Sequence, residues 1–330
     1  MNASTASTAT GAGRSILERP AAARLPDQAL KWALRLLAIA LLALIVYFFV
    51  RLYSEANPVF AHTGFFSFVF HNNWNPAANI YGGWPLVVGT LITSAVALIL
   101  AIPVAVSAAL FVTELCPRRL RTPMAIVIDL LAAVPSVVYG LWGIFVVIPT
   151  LRPIEHTVGD ALSFLPFFSG VVPGPNYFVA GLVLALMIVP IISGITREVM
   201  ATVPAEDKEA ALALGATRWE MIRIAILPYS RPGIAGATML GLGRALGETI
   251  AVQLLIGDSL TVGHHLFDQG YSLAAVIANE FNETTSGSLH QAALIAAGLV
   301  LFVLTLIVNL AARYFVVRGA RGRQLAADAV

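Results

Sequence analysis

The chain predicts an all-α integral membrane protein with six transmembrane helices, and three observations carry that expectation. Its 330 residues are 58% hydrophobic and only 12% charged, with a mean hydropathy of +0.83; soluble chains hold roughly half apolar and about a quarter charged residues. Six stretches are long and apolar enough to cross a bilayer core, which takes roughly 20 helical residues because every backbone polar group must be satisfied within the segment. The basic residues, finally, fall almost entirely on one side of those stretches. A water-soluble enzyme is excluded by this composition. The near-balanced charge of +2, with basic residues dispersed along the chain, gives no nucleic-acid patch.

The spans lie at about 32–52, 84–112, 124–150, 177–198, 233–257 and 291–316. The second carries Pro103, which predicts a kink or tilt, and the fifth is Gly-rich and holds Arg244, the one Arg that lies more than a few residues from either end of a span. Before the first span, Met1–Asp27 is rich in Ala, Ser and Thr with scattered arginines, so residues 1–28 are expected to form a disordered cytosolic tail. This is not a secretory signal, because the first span follows Lys31 and Arg35, lacks a small-residue cleavage site and is long enough to remain as an anchor. Residues 29–320 then form one six-helix domain with a cytosolic loop at 199–231, and 321–330 a second cytosolic tail.

With the N-terminus in the cytosol, seventeen Lys and Arg residues fall inside and only Arg51 and Arg152 outside, Arg244 being left in a span. Both termini are therefore expected to be cytosolic. All six histidines then lie at or near the outer side. The pair His264–His265 does not read as a metal site, since adjacent residues point in different directions and no Cys, Asp or Glu completes a ligand spacing. The single cysteine, Cys116, reads as a reduced structural thiol. Aromatic clusters at Phe65, Phe66, Phe68 and Phe70, and at Phe164, Phe167 and Phe168, anchor a bundle at headgroup level or offer a docking surface to an outer partner, and Leu273–Phe281 is expected to be a short helix.

The longest inside loop has the clearest local code. Pro204 suits a first helical position, and Glu206 and Asp207 oppose the positive end of the helix dipole. Good helix formers follow through Leu214, and Gly215 stands where a left-handed cap is wanted. Thr217-x-x-Glu220 is a capping box, and Trp219, Ile222 and Ile226 form an apolar stripe on a second helix that Pro228 is expected to limit. On pattern alone this is either a solvated connector or a pair of short helices that engages a partner.

In the fifth span, Arg244 and Glu248 stand four residues apart, so one continuous helix would bring them onto one face to pair. A lone charge in mid-bilayer costs about 2.5–3.5 kcal/mol even on the lenient insertion scale, so the pair should face the bundle interior or a wet cavity. It reads as a structural salt bridge, or as a guanidinium that Glu248 steadies for a passing oxyanion. Gly241, Gly243 and Gly247 would allow close helix approach in either case. Asp129, near the inner end of the third span, is expected to pair with an Arg or with backbone.

Two of these segments resemble known families. Glu209-Ala210-Ala211, Gly215 and Leu227-Pro228 are similar to the EAA loop of ABC importer permeases, matching six of its seven specified positions, with Ala225 where Ile is usual. Gly241-x-Gly243-Arg244-Ala245-x-Gly247-Glu248-Thr249-x-Ala251-Val252, together with Pro135-Ser136-Val137-Val138-Tyr139-Gly140, resembles the membrane subunits of high-affinity phosphate importers. The long N-terminal arm looks more like their PstC type than their PstA type. The resemblance implies an ABC importer permease fold of the MetI-like kind in a bacterial inner membrane. It implies a substrate path at Arg244, Glu248, Thr249, Ser136 and Tyr139, and coupling to an ATPase through Glu209, Ala210, Ala211, Gly215 and Trp219. Its implied partners are a PstA-type sister permease, a PstB-type ATPase dimer and a PstS-type outer solute-binding protein, with phosphate as substrate.

The chain has no Gly-x-x-x-x-Gly-Lys-Ser/Thr loop, so ATP and Mg belong to the ATPase and no cofactor is expected on this chain. A permease for sulfate or molybdate, a secondary transporter, and a phosphate-status sensing scaffold remain the alternative readings.

Overall fold

A computed structural model describes residues 24–162, 164–165, 167 and 172–327, with side chains placed between residues 28 and 314. Of the expected tails, residues 1–23 and the last three residues lie outside the described residues, as does Phe168; contrary to expectation, 24–28 already belong to the first helix and 321–327 continue the last one. The chain divides into two compact units, Met1–Arg51 and Leu52–Val330. Helix α1 (Arg24–Thr63) begins in the first, where Leu37, Ile39 and Leu42 are all exposed, as suits a helix solvated by lipid.

The second unit continues from the end of α1 through α2 (Phe65–Phe70), a two-stranded antiparallel ribbon of β1 (Trp74–Asn75) and β2 (Ile80–Tyr81) with Trp74 opposite Tyr81, and α3 (Trp84–Leu110). There follow α4 (Arg118–Ala133), α5 (Ser136–Trp142), α6 (Ile148–Ala161), α7 (Tyr177–Ala201), α8 (Ala205–Ala213), α9 (Arg218–Met221), α10 (Leu227–Leu246), α11 (Ile250–Ile256), α12 (Leu273–Glu280) and α13 (Leu289–Ala327). Among the described residues five helices are long and apolar enough to cross a membrane, and a sixth span is made by Arg218–Leu246 with Ile250–Ile256, bent by 65°.

Three buried layers stack along the bundle. One joins the end of α1, Phe68, the ribbon, the start of α3, α12 and the first part of α13. A middle layer joins α3, α7, α10 and α11, and a third, of Ala109, Met200, Val203, Ala211, Met221, Ile222 and Ile226, underlies α8 and α9. Helices meet closely where side chains are small, because without a hydrophobic drive between helices in lipid, contact area decides association. Ala97, Ala101, Ala105 and Ala109 recur every four residues as a buried stripe on α3. On α7, a Cβ at Gly181 would stand 2.5 Å from Val96 Cγ1.

Gly89 of α3 is tighter still, since an added Cβ would lie 2.1 Å from the Tyr271 carbonyl oxygen. Backbone cannot swing away as a side chain does. Gly89→Ala is therefore expected to lower stability by about 1–3 kcal/mol, the usual range for overpacking, read as a lower melting temperature of the purified protein; an unchanged melting temperature would mean this contact is not held in solution.

Prolines are accommodated by local widening of the helix. Three π-helical turns, Phe111–Leu115, Gly143–Val147 and Ile222–Ile226, each end two residues before a proline, at Pro117, Pro149 and Pro228. A proline lacks the N–H and crowds the carbonyl four residues back; at Pro149 and Pro228 a π turn re-registers the ladder and the helix continues, whereas at Cys116 and Pro117 the chain turns extended and the helix ends. Pro228 consequently does not limit the second loop helix, contrary to the sequence expectation. The chain stays helical from Arg218 to Leu246.

The third span also differs from expectation. At 124–150 it contains a break, because α4 ends at Ala133 and Val134 and Pro135 are extended (ψ 128° and 141°) before α5 begins. Pro135 disfavours helical geometry at Val134, which stops α4.

At the far end of α11, Gly257 is left-handed (φ +95°) and leads into a polar cluster. Asn279 Nδ2 donates to Asp258 Oδ2 (3.2 Å) and to the Tyr271 hydroxyl (2.7 Å), while Gln253 Nε2 donates to Asn279 Oδ1. Beside it Glu280 Oε2 accepts from Trp74 Nε1 (3.1 Å) and pairs with His290 Nε2 (2.8 Å). Burial pushes the Asp258 carboxyl above its ordinary value, with the Asn279 hydrogen bond opposing and the Glu280 charge adding to the rise. The folded state thus holds this proton more tightly than the unfolded chain does. Stability from Asp258 is greatest below the ordinary carboxylate range and is lost as pH rises from there through the raised value. Asp258→Asn should flatten that decline in melting temperature against pH; an identical pH profile in variant and parent would refute it.

Candidate substrate path and coupling segment

The fifth span is built in two pieces. α10 stops at Leu246, Gly247 has φ −95° and ψ 1°, Glu248 and Thr249 are non-helical, and α11 starts at Ile250. Arg244 and Glu248 are therefore not one turn apart on a common helix, and the pair expected from their spacing is not formed. Among the described residues neither makes a salt bridge. Arg244, in the last turn of α10, is exposed on this single chain, and Glu248 and Thr249 are half-buried. Thr249 Oγ1 donates to the Gly247 carbonyl at 3.3 Å.

The break in the fifth span sits beside the break in the third. A Cβ at Gly140 of α5 would meet Leu254 Cδ1 at 2.6 Å and Ala251 Cα at 3.3 Å, and one at Gly143 would meet Leu255 Cδ2 at 2.6 Å. α5 and α11 therefore run parallel in contact, and their starts lie at one level. That level holds Ser136, the first residue of α5, and the Gly247–Thr249 linker. Helix starts present unpaired backbone N–H groups and the positive end of the dipole. Tyr139 is spent otherwise: its hydroxyl donates to the Leu131 carbonyl at 2.9 Å, beside the longer bond that carbonyl accepts from Val134 N (3.4 Å), and ties the halves of the third span together.

The glycines divide. Gly241 packs on Ile192 of α7, with an added Cβ 2.8 Å from its side chain, whereas Gly243 and Gly247 meet nothing closer than 3.6 Å. Only Gly241 has a close-packing role.

At the other end of the bundle the loop code reads as the sequence predicts but for one residue. α8 starts at Ala205, so Pro204 stands at the N-cap position with extended backbone (ψ 138°), one residue before the helical position expected of it; Glu206 and Asp207 lie in the first turn, Gly215 is left-handed (φ +86°), and the Thr217–Glu220 box closes with Glu220 N to Thr217 Oγ1 at 3.3 Å and Thr217 N to Glu220 Oε2 at 2.8 Å. Ala211 is buried among Met221 and Ile222, while Glu209, Ala210 and Trp219 are exposed. Two further apolar side chains, missed in the sequence, are also exposed here: Leu212, and Leu214 at 89%. Helical spacing would have put Leu214 on the face of Ala211; it is exposed because α8 ends at Ala213, just before the left-handed Gly215. Lys208 pairs with Glu114 (2.7 Å), joining α8 to the end of α3, and Arg197 pairs with Asp129 (2.5 Å), joining α7 to α4 and giving Asp129 the arginine partner expected of it.

No group of His, Cys, Asp and Glu among the described residues could hold a metal ion. The backbone amides of His264 and His265 donate to Asp268 Oδ2 (2.8 and 2.9 Å), so this pair lies in a capped loop.

A broken spanning helix facing a second broken helix, with an exposed pair of short helices at one end, defines a membrane transport subunit rather than an enzyme. Residues 101–318 match the family model of the binding-protein-dependent transport system inner membrane component, and the chain belongs to that family. It is 45% identical to the phosphate transport system permease protein PstC of Pasteurella multocida over 77% of this chain and 80% of that one. It is 43% identical to PstC 2 of Mycobacterium tuberculosis, over 84% and 86%. Among solved structures, a bacterial alginate ABC transporter in complex with an alginate-bound periplasmic protein superposes with a TM-score of 0.57 at 20% identity, covering 88% of this chain and 95% of that one. Another structure of a bacterial alginate importer gives 0.55 at 19%. These share the ABC importer permease fold with this multi-pass membrane protein.

Proposed function

We propose that this chain is the PstC-type membrane subunit of an ATP-driven phosphate importer, forming half of the path with a PstA-type sister subunit. The single observation that carries the reading is Arg244, an unpaired guanidinium in a spanning helix, exposed on the isolated chain next to two helix starts. An ion that costly in lipid is retained where a second subunit and water cover it. Discontinuous helices that turn their starts toward an anionic substrate are a recurrent transporter device. The forked donors of Arg244 offset the desolvation of phosphate, and Glu248, half-buried four residues on, is placed to accept a proton from the partly protonated anion. Ser136 and Thr249 line the same level; Tyr139 acts there as a positioning residue. The curated relatives named for phosphate transport support this substrate.

The excess of basic residues on one side supports a cytosolic position for both termini and for the α8–α9 segment. There Glu209, Ala210, Gly215 and Trp219, with the newly seen Leu212 and Leu214, face a PstB-type ATPase dimer that binds ATP and Mg, while Ala211 carries the load into the core as buried packing. A PstS-type receptor docks on the opposite side, where Phe66 and Phe164 are exposed. The test is uptake of labelled phosphate by the reconstituted complex. ATP-dependent uptake that excess sulfate and molybdate fail to compete supports phosphate; competition by either at equal concentration assigns the path to that oxyanion, and uptake without ATP rejects the ABC mechanism.

A further inference from the structure

Beside the coupling segment lies a cavity of about 430 Å³ that the transport path does not use. It is enclosed by the end of α3, the start of α4, α8 and α9, and is lined by Arg118, Arg121, Lys208 and Arg218 against one carboxylate, Glu114. Four cations and one anion leave three positive charges in excess. The excess is local: an adjoining cavity lined by Arg121, Arg197 and Lys208 also holds Glu114, Asp129 and Glu198 and is neutral.

Within the basic cavity Lys208 is paired to Glu114 (2.7 Å), and Arg121 engages its Nε with the Cys116 carbonyl (3.1 Å), which fixes the guanidinium and leaves its terminal donors. Arg118 and Arg218 are exposed and make no ion pair among the described residues. The start of the sixteen-residue α4, at Arg118, adds its positive dipole end to the same wall.

Held charges of one sign repel unless an anion sits between them. Several fork donors around one space match a tetrahedral oxyanion. We propose that this cavity is an anion site for a phosphate-type group, supplied by an anionic phospholipid headgroup or by free cytosolic phosphate. Occupied, it ties α8 and α9 to the ends of α3 and α4, so that the segment that receives the ATPase stroke is braced against the bundle. The inference uses the cytosolic placement of this end but not the role of Arg244.

The test compares the intact complex with one bearing Arg118→Ala and Arg218→Ala and with a charge control, Arg119→Ala; Arg119 shares the start of α4 but does not line the cavity. One arm measures phosphatidylglycerol retained by native mass spectrometry after extraction from mixed nanodiscs. The other measures labelled inorganic phosphate bound in phosphatidylcholine nanodiscs, with Arg244→Ala added to all variants. At least about tenfold weaker retention or binding in the double variant, with the Arg119 control within twofold of the parent and Arg118→Lys with Arg218→Lys intermediate, is expected in one arm, and that arm identifies the source. Equal losses in the control and the double variant would mean only a diffuse basic face. That result, or no loss in either arm, overturns the proposal, and neither bears on uptake through Arg244.

Discussion

Arg244→Ala is expected to give an inserted, fully assembled complex whose phosphate uptake is about 10- to 150-fold below the parent. Hydrogen bonds to charged groups are each worth about 1.5–3 kcal/mol. Because α10 ends two residues later and Arg244 forms no salt bridge among the described residues, its removal breaks no intrachain ion pair. Stability should therefore change little while transport collapses. Arg244→Lys keeps the charge but loses the planar fork, so it should recover only part of the uptake. The check is initial-rate uptake in proteoliposomes alongside the amount of complex recovered. Normal uptake in the Ala variant would remove the oxyanion role; loss of assembly would make Arg244 a subunit-interface residue.

The second large effect concerns the other end of the molecule. Leu214, just past the end of α8, is 89% exposed and Trp219 of α9 63%, while Ala211 and Met221 of the same helices are buried. Apolar side chains presented this way by a rigid support are the usual anchors of an interface, where truncation of one costs about 2 kcal/mol or more. Leu214→Asp with Trp219→Ala should lower ATPase co-purification at least about 30-fold and abolish ATP-dependent uptake. By contrast Thr217→Ala, which removes only a helix cap, should cost about 1 kcal/mol of local stability and leave the complex associated. Undiminished co-purification in the double variant would place the ATPase contact elsewhere.

What could be read from the chain and what could not follow from the range of the interactions involved. The capping box at Thr217–Glu220, the left-handed Gly215 and the start of α8 are decided within a few residues, and they appear where local chemistry puts them. The spans follow from hydropathy for the same reason. The helix breaks are the counterexample. Gly247-Glu248-Thr249 and Val134-Pro135 look from sequence like tolerable interruptions of apolar runs, yet each ends a helix: Pro135 stops α4 at Val134, and α11 restarts at a level where its Ala251, Leu254 and Leu255 pack on Gly140 and Gly143. Pro228 errs in the opposite direction: a π turn upstream absorbs it. The assumption of one continuous helix is what made Arg244 and Glu248 look like a pair. The residues were identifiable, while their geometry depended on a tertiary contact between two spans. Leu214 was hidden for a related reason: its exposure follows from α8 ending at Ala213, before the left-handed Gly215, whereas a longer helix would have put it on the face of the buried Ala211.

The most direct measurement is the reactivity of a cysteine placed at the break itself. Cys116 is the one cysteine and is buried, so Cys116→Ala gives a silent background into which Thr249→Cys can be introduced. If an anion route passes the start of α11, a negatively charged methanethiosulfonate reagent will modify residue 249 in the assembled complex, and phosphate will slow that reaction several-fold while leaving reaction with exposed control sites unchanged. Modification at the same rate with and without phosphate, or none in any nucleotide state, would place the route elsewhere and contradict the account.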